Sequence, residues 1–522
     1  MGIYLNPDAQ GFLISRNSKP YVDKSMMIEL LNRVLDTEKR FVCVSRPRRF
    51  GKTMATHMIA AYYTKNLDGD QLFNGLKIHN CIDFDRFRNR YDVIKVNIQE
   101  FLSRTRSMDQ LLDRIRRSLL RELFREYPDV DYFDRDDLVE CMKDVNSETG
   151  SRFVVIIDEW DCIFREYPKE TDGQRTYLDF LRDFLKDRAY IALTYMTGIL
   201  PIKKYGTHSA LNMFDEYSME NPGNMAEFTG FTEEEVTGLC DKYGVDLDEC
   251  RKWYDGYTFL KCRHIYNPKS IDAAVTTGIF DDYWNKTETY EALKTYIDMN
   301  FDGLRDSVIA MLAGGRQQIN TGSFQNDMTS LSSADDVLTL LIHLGYLGYD
   351  FSRKEVFIPN KEIAGEFVTA TTAQHAWDEV ARAVRKSEEL LSATINGEEE
   401  KVAAYIEKAH LETSHLQYND ENALSYTISL AYYAARQYYT VVRELPSGKG
   451  FADLVFVPRK KYQDKPAMLV ELKWDHSAQT APNQILDKRY PESLEEYKGN
   501  MLLIGVSYDK KTRKHECRIV RG

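Results

Sequence analysis

Apolar runs without alternation punctuate the first half of the chain. Phe41–Ser45 (FVCVS), Phe153–Asp158 (FVVIID) and 190–198 (YIALTYMTG) each end in a polar residue or glycine, and 93–98 and 225–231 read as two further short strands. A strand that is apolar at every position, rather than at every second one, belongs inside a sheet covered on both faces. Between the runs the spacing turns helical. It does so at 26–35, 52–65 and 134–148, and at 107–127, where Leu111, Leu112, Ile115, Leu119, Leu120 and Leu123 share one side. Asp23 or Ser25 is placed to cap the first of these helices. Five strands with helical crossovers predict an α/β fold, a parallel doubly wound sheet with its ligand at the strands' C-terminal ends.

Beyond 231 the pattern changes. Residues 232–300 are helical, opening with Thr232-x-x-Glu235, a capping-box spacing. Within 301–372, DDVLTLLIHLGYLGYDFSRKEVFIP reads as helix, turn at Gly345 and two short strands, a winged-helix-like arrangement whose acidic context favours packing over nucleic-acid contact. A charged, Ala-rich helix at 373–400 then connects to a β-rich C-terminal segment.

The stretch Arg46-Pro47-Arg48-Arg49-Phe50-Gly51-Lys52-Thr53 follows the first strand and opens a helix. Strand, basic loop, Gly-Lys-Thr, helix is the order a triphosphate site requires. Loop N–H groups face phosphate oxygens, Lys52 reaches the outer phosphates, and the Thr53 hydroxyl sits on Mg²⁺. A full Walker A has glycine where this chain has Arg46; Pro47 presets a backbone angle there, and Arg48 and Arg49 add charge. A basic turn capping a helix would look the same, so the second half of the motif matters. FVVIID supplies it: Asp158 at the strand end is placed for the Mg²⁺ shell, and Glu159 to orient or deprotonate a water. Thr197, at the end of the strand over 190–198, stands where an inserted-strand ATPase places a γ-phosphate sensor, although threonine is also an ordinary strand residue.

Composition narrows the class. At 522 residues the chain exceeds one ordinary domain. No apolar run approaches the roughly 20 residues of a bilayer span, and MGIYLNPDAQ lacks a basic-then-apolar leader, so a cytoplasmic protein without membrane contact is expected. Eight scattered cysteines without a CxxC pair argue against structural zinc and a disulfide framework. The net charge of −12 is uneven: residues 436–522 carry 17 Lys+Arg against 11 Asp+Glu, hence +6 there and −18 elsewhere. A basic end on an acidic body is compatible with a polyanion partner, or with a solvated basic face.

That basic end holds a second constellation. GKGFAD ends at Asp453, and AMLVELKW carries Glu471 and Lys473 two apart, on one face of a strand. Leu469, Leu472 and Trp474 are left for the other face or the strand ends. Charges on an apolar strand are costly to bury unless paired or metal-bound. An acid followed by Glu-x-Lys on the neighbouring strand is the PD-(D/E)xK nuclease arrangement. Its carboxylates hold Mg²⁺, which activates water, and its lysine steadies the developing charge.

YVDKS, RPRRFGKT, IIDEWD, TGILPI, GFTEEEV, WYDGY, YNPKSI, GYL, IPNKE, YNDENAL, ELPSGKGFADLVF, VELKW and NQILDKRY together resemble a bacterial family, the AAA-ATPase-like proteins with a C-terminal PD-(D/E)xK nuclease domain. The resemblance covers nearly the whole chain. It implies ATP binding through Lys52 and Thr53, with Asp158 and Glu159 as Walker B pair; the loop residues Arg48, Arg49, Phe50 and Gly51 and the strand-end Thr197 complete the expected nucleotide site. It implies Asp453, Glu471 and Lys473 as nuclease core, with Glu421 on the preceding helix as an added acid and Gln484 as a trailing glutamine. Arg46 resembles the family's own form of the loop; Trp160 stands where the family more often has tyrosine.

The expected organisation is therefore an AAA-like P-loop domain (1–231), a helical lid (232–300), a winged-helix-like segment (301–372), and a helical connector with a mixed α/β nuclease-like domain (373–522). The expected activity is an ATP-binding, ATP-hydrolysing switch coupled to Mg²⁺-dependent cleavage of nucleic acid, DNA in the first instance, with homo-oligomerisation left open. The alternative is a nucleotide-dependent regulatory or scaffold protein whose C-terminal domain binds nucleic acid or protein without cutting.

Overall fold

The computed structural model describes residues 2–67, 71–202, 204–205, 208–209, 211–259, 262–284, 290–299, 301, 303–326, 328, 330–372, 378–412, 427–447, 450–459, 462–474, 497, 499–509, 512 and 514–522. They form two compact units, Met1–Glu288 with Gln318–Ile363, and Thr289–Gln317 with Ala364–Gly522.

The first unit is built on β1 (Phe41–Ser45), β2 (Asp92–Asn97), β3 (Phe153–Asp158), β4 (Ile191–Gly198) and β5 (Asp215–Tyr217), all parallel, in the order β2-β3-β4-β1-β5. The unbroken apolar runs have the expected cause. Phe41, Cys43, Phe153, Val155 and Ile157 enter one core, while Val42, Val44, Val154 and Ile156 enter another on the opposite face. The helix Met108–Glu126 closes the first face with Met108, Leu111, Leu112, Ile115, Leu119, Leu120 and Leu123 buried, each stabilising by roughly 1.5–3 kcal/mol relative to exposure. Ser107 caps it through its side chain. The helix Lys52–Tyr63 lies on the second face.

Two expectations are corrected. The fifth strand is not at 225–231. Gly223–Met225 is a 3-10 turn, and Phe231–Thr232 pairs with Ile265–Tyr266 outside the sheet. The true edge strand, β5, is three residues, Asp-Glu-Tyr, none of them buried. An edge strand of that length carries no apolar signature. Nor does Asp23 or Ser25 cap the helix Met26–Val34. Asp23 accepts from the Ser25 and Lys77 N–H groups, and Ser25 Oγ from the Ile78 N–H, so the pair anchors the 77–80 turn instead.

The capping box at Thr232 and Glu235 is present, with both reciprocal bonds. The helix Ala334–Leu344 ends on Gly345 and runs into β6 (Gly348–Asp350) and β7 (Glu355–Phe357), an antiparallel hairpin. This segment packs on the P-loop side of its own unit. The Tyr257 hydroxyl donates to Gly345 O at 2.6 Å, and Tyr257 stacks edge-on against Phe50.

The second unit carries β8 (Tyr439–Ser447), β9 (Gly450–Pro458), β10 (Ala467–Trp474), β11 (Met501–Asp509) and β12 (Lys514–Arg521) in sequence order. Only β10 and β11 are parallel. Met468, Val470, Leu472, Leu502, Ile504 and Val506 meet apolar residues of the helices Asp378–Ile395 and Glu399–Glu412. Val455, Ala467, Leu469, Met501 and Leu503 make a core on the other face. Leu469 therefore shares its face with Glu471, by the period of two, and not the face of Leu472.

Candidate functional site

The β1–helix turn is shaped by two left-handed residues. Arg49 (φ +68°) and Gly51 (φ +84°) turn the chain, and Gly51 leads into the helix Lys52–Tyr63. Arg46 has no positive φ, so the position needs no glycine. Its backbone N–H donates to Gly198 O at 3.0 Å, extending the β1–β4 ladder. Its buried guanidinium turns to the sheet edge, with Nη1 2.8 Å from both Ser45 O and Tyr217 O and the Phe259 ring 5.3 Å away. Burial lowers its pKa to about 10, and among the described residues Nε and Nη2 have no hydrogen-bond partner.

Beside this turn lies a cavity of about 490 Å³. Arg48, Arg49, Phe50, Gly51, Lys52, Thr53 and Glu159 line it, and Tyr21, Lys24 and Lys269 stand on other walls. Lys52, 4% exposed, donates to Arg46 O (3.0 Å) and Pro47 O (2.9 Å). Burial lowers its pKa against the opposing pull of Glu159, Asp161 and Asp158. Phe50 is fully buried, and its ring borders the cavity from within.

Asp158 ends β3 opposite Asn97 of β2 and Thr197 of β4. Burial, then the charge of Glu159, raises its pKa; the nearby Thr53 hydroxyl, Lys52 and Lys95 oppose the rise. Its Oδ2 is buried without a hydrogen bond of ordinary geometry. A buried carboxylate oxygen left over, beside a threonine and a lysine at a glycine-led helix start, suits a hydrated Mg²⁺ and polyphosphate. The residues present fit that pair. Thr197 is placed differently from a sensor: its hydroxyl donates to Val44 O at 2.8 Å, inside the sheet.

Glu159 adopts φ +53°, a strained conformation for a residue with a Cβ, of a kind concentrated at functional sites. Its carboxylate receives Arg165 Nη2 at 2.5 Å; Arg165 Nε donates to Asp161 at 3.1 Å. Asp161, fully buried, also accepts from the Ile199 (3.1 Å) and Leu200 (2.8 Å) N–H groups beyond β4. Burial is the largest single influence and lowers the Arg165 pKa, but Asp161, Glu159 and Cys162 together raise it overall, so the guanidinium stays charged. Arg165 belongs to none of the motifs that mark the site in the sequence. Its signal was the i,i+4 spacing from Asp161, which puts both on one side of the turn after the acids.

In the second unit, β9 and β10 pair Leu454 with Val470. Asp453 and Glu471 each lie one residue beyond that pair on their own strands. Glu471 is 4% exposed, and Asp453 Oδ2 accepts from the Leu472 N–H at 2.6 Å. Lys473 lies on the same strand, β10. Glu421 and Gln484 lie outside the described residues. Among the described residues no group of three or more metal-ligating side chains converges. Two carboxylates still suit Mg²⁺, which takes one or two from the protein and completes its shell with water and phosphate.

A parallel sheet whose P-loop strand is separated from its Asp-Glu strand by an inserted strand, with a cavity lined by Lys52, Thr53 and Glu159, has the fold of P-loop NTPases. Residues 12–207 match the family described as "Predicted AAA-ATPase", and residues 421–517 match the PD-(D/E)XK nuclease superfamily, so the chain joins an AAA-ATPase-like region to a nuclease-superfamily region. It is similar to an uncharacterized protein in the vnfD 5′ region of Azotobacter chroococcum mcd 1, at 27% identity over 253 residues, 47% of each. The aligned part thus spans about half the length of that relative. Among solved structures, a Walker-type ATPase of Pyrococcus abyssi is similar at 13% identity over 66% of this chain and 94% of that one, with a TM-score of 0.34. The Aeropyrum pernix ORC1 protein in complex with DNA is similar at 10% identity over 71% and 98%, with a TM-score of 0.27. No helix among the described residues is long and apolar enough to cross a membrane.

Proposed function

We propose that the P-loop unit binds and slowly hydrolyses MgATP, and that its state governs Mg²⁺-dependent cleavage of nucleic acid, DNA in the first instance, by the C-terminal sheet. The observation that carries the first half is one cavity bordered by Lys52, Thr53 and Glu159, with Asp158, the residue before Glu159, keeping a buried carboxylate oxygen without an ordinary hydrogen bond among the described residues. Thr53 and Asp158 would hold the Mg²⁺, which would supply neutralising charge to the phosphates. Lys52 exchanges its bonds to the Arg46 and Pro47 carbonyls for phosphate oxygens. Arg48 and Arg49 add charge at the cavity wall. Glu159 orients the attacking water and takes its proton. Lys52→Ala is expected to abolish ATP binding in calorimetry; unchanged affinity would defeat this assignment.

The second half rests on the nuclease-superfamily match and on Asp453 and Glu471 lying one residue beyond the Leu454–Val470 pair on neighbouring strands. Asp453 and Glu471 would hold Mg²⁺, with Lys473 near the scissile phosphate and Glu421 and Gln484 completing the site. One observation favours the alternative of a binding domain that does not cut: an Asp453 oxygen is already engaged by the Leu472 N–H. Plasmid nicking with Mg²⁺ and ATP, wild type against Glu471→Ala, separates the two. Nicking lost in the variant supports cleavage at this site, nicking that survives removes the site, and no nicking by the wild type supports the alternative.

A further inference from the structure

The Glu159–Arg165–Asp161 chain carries an inference that rests on the ATPase reading and deepens it. Glu159 borders the cavity, yet its carboxylate is not free to swing. Arg165, 8% exposed at its side chain, grips it at 2.5 Å. The same guanidinium binds Asp161 through Nε at 3.1 Å, and Asp161 is 0% exposed. Asp161 is anchored in turn by two backbone N–H groups, of Ile199 and Leu200, immediately after β4. Gly198, at the end of β4, lets it come this close: a Cβ there would lie 2.4 Å from Asp161 Oδ1.

We propose that Arg165 is a positioning residue for ATP hydrolysis, fixing the Glu159 carboxylate at the cavity wall from a base set by Asp161 and the Ile199–Leu200 backbone. Three observations argue for positioning over incidental pairing. The guanidinium uses a different nitrogen on each acid, so its plane is fixed by both. The pair is largely shielded from water, where such bonds are strongest. And Glu159 sits on a left-handed backbone, whose strain must be held by its surroundings. Arg165 is absent from the cavity lining, so it acts on nucleotide chemistry through Glu159 and not by touching nucleotide. Its loss is therefore expected to change turnover and leave affinity alone.

The test uses the full chain with MgATP, steady-state hydrolysis for kcat and KM, and calorimetry for Kd. Arg165→Met is expected to lower kcat at least tenfold with Kd within about threefold of wild type, and Arg165→Lys, which keeps the charge without the fork, to fall between. In a Glu159→Gln background, Arg165→Met is expected to add less than a twofold further loss, because the group it positions is already disabled; a merely structural role would add its full loss again. A kcat within twofold of wild type in folded Arg165→Met overturns the proposal, as does an equal loss in both backgrounds or a rise in Kd matching the fall in kcat. Should Arg165→Met not fold, Arg165→Lys decides by the same criteria; failure of both to fold assigns Arg165 to structure and overturns the proposal. A wild type that binds ATP without hydrolysing it overturns this proposal and leaves nucleotide binding standing. A wild type that does not bind ATP removes the ATPase reading itself.

Discussion

At the scale of single residues, the P-loop half of the molecule is governed by where charge is buried and what meets it. Lys52 and Asp158 are pushed by burial toward their neutral forms and held back by each other's neighbourhood. Such opposed shifts in one cleft mark functional sites more often than surfaces. Arg46 shows the opposite case, a cation committed to carbonyls and a ring, whose place in the motif is backbone continuity rather than phosphate contact. Gly198 is the residue on which the Asp161 anchor depends. In Gly198→Ala the new methyl would meet two buried side chains, Asp161 and Trp160, neither able to withdraw to solvent. Gly198→Ala is expected to destabilise the protein by about 1–3 kcal/mol, read as a lower urea midpoint at unchanged slope. A midpoint equal to wild type would show that Asp161 is not packed as described.

At the scale of elements, chemistry sits where strands stop. Asp158 and Gly198 close two adjacent parallel strands, and Lys52 opens the helix that follows a third. Their run lengths made these elements legible, because a strand buried on both faces must be apolar throughout. The three-residue edge strand β5 was not legible, since neither length nor apolarity marks it. The helix Glu233–Tyr243 was legible from its cap: Thr232 Oγ1 accepts from Glu235 N–H, and the Glu235 carboxylate accepts from Thr232 N–H at 2.8 Å. Thr232→Ala is expected to cost about 1 kcal/mol and to raise amide exchange in the first turn of that helix before any other element. Uniform exchange changes across the unit would argue instead that this helix opens only with the whole.

At the scale of the whole molecule, the clearest pH-sensitive element lies in the first unit. Glu362 is buried and receives Ser270 Oγ and the Tyr283 and Trp284 N–H groups, joining the helix Pro268–Thr277 to residues 283 and 284. Burial outweighs those bonds and raises its pKa from 4.5 to about 7. A carboxyl whose folded pKa exceeds its unfolded value binds more protons when folded. Its stabilising effect is complete below about pH 4.5 and is lost as pH rises through about 7. That loss is on the order of 3 kcal/mol. Glu362→Gln is expected to flatten the fall of stability between pH 5 and pH 8 in urea titrations. A wild-type profile already flat over that window would refute it.

Local order in the chain decided the elements and the residue types at their ends: apolar runs for buried strands, Gly-Lys-Thr for a helix start facing phosphate, Asp-Glu at a strand terminus, and Glu-x-Lys on a strand whose partner begins near Asp453. Those follow from neighbours along the backbone, where the period of a strand or helix and the demands of a turn act over a few residues. Which side chains share one environment was left to packing. Only the folded chain tied the Thr197 hydroxyl to Val44, turned the Arg46 guanidinium to the Tyr217 carbonyl, and set Arg165 between Glu159 and an aspartate held by the next strand's end. Each of these depends on contacts between segments far apart in sequence, and a period read along one strand or helix holds no information about what another brings to meet it.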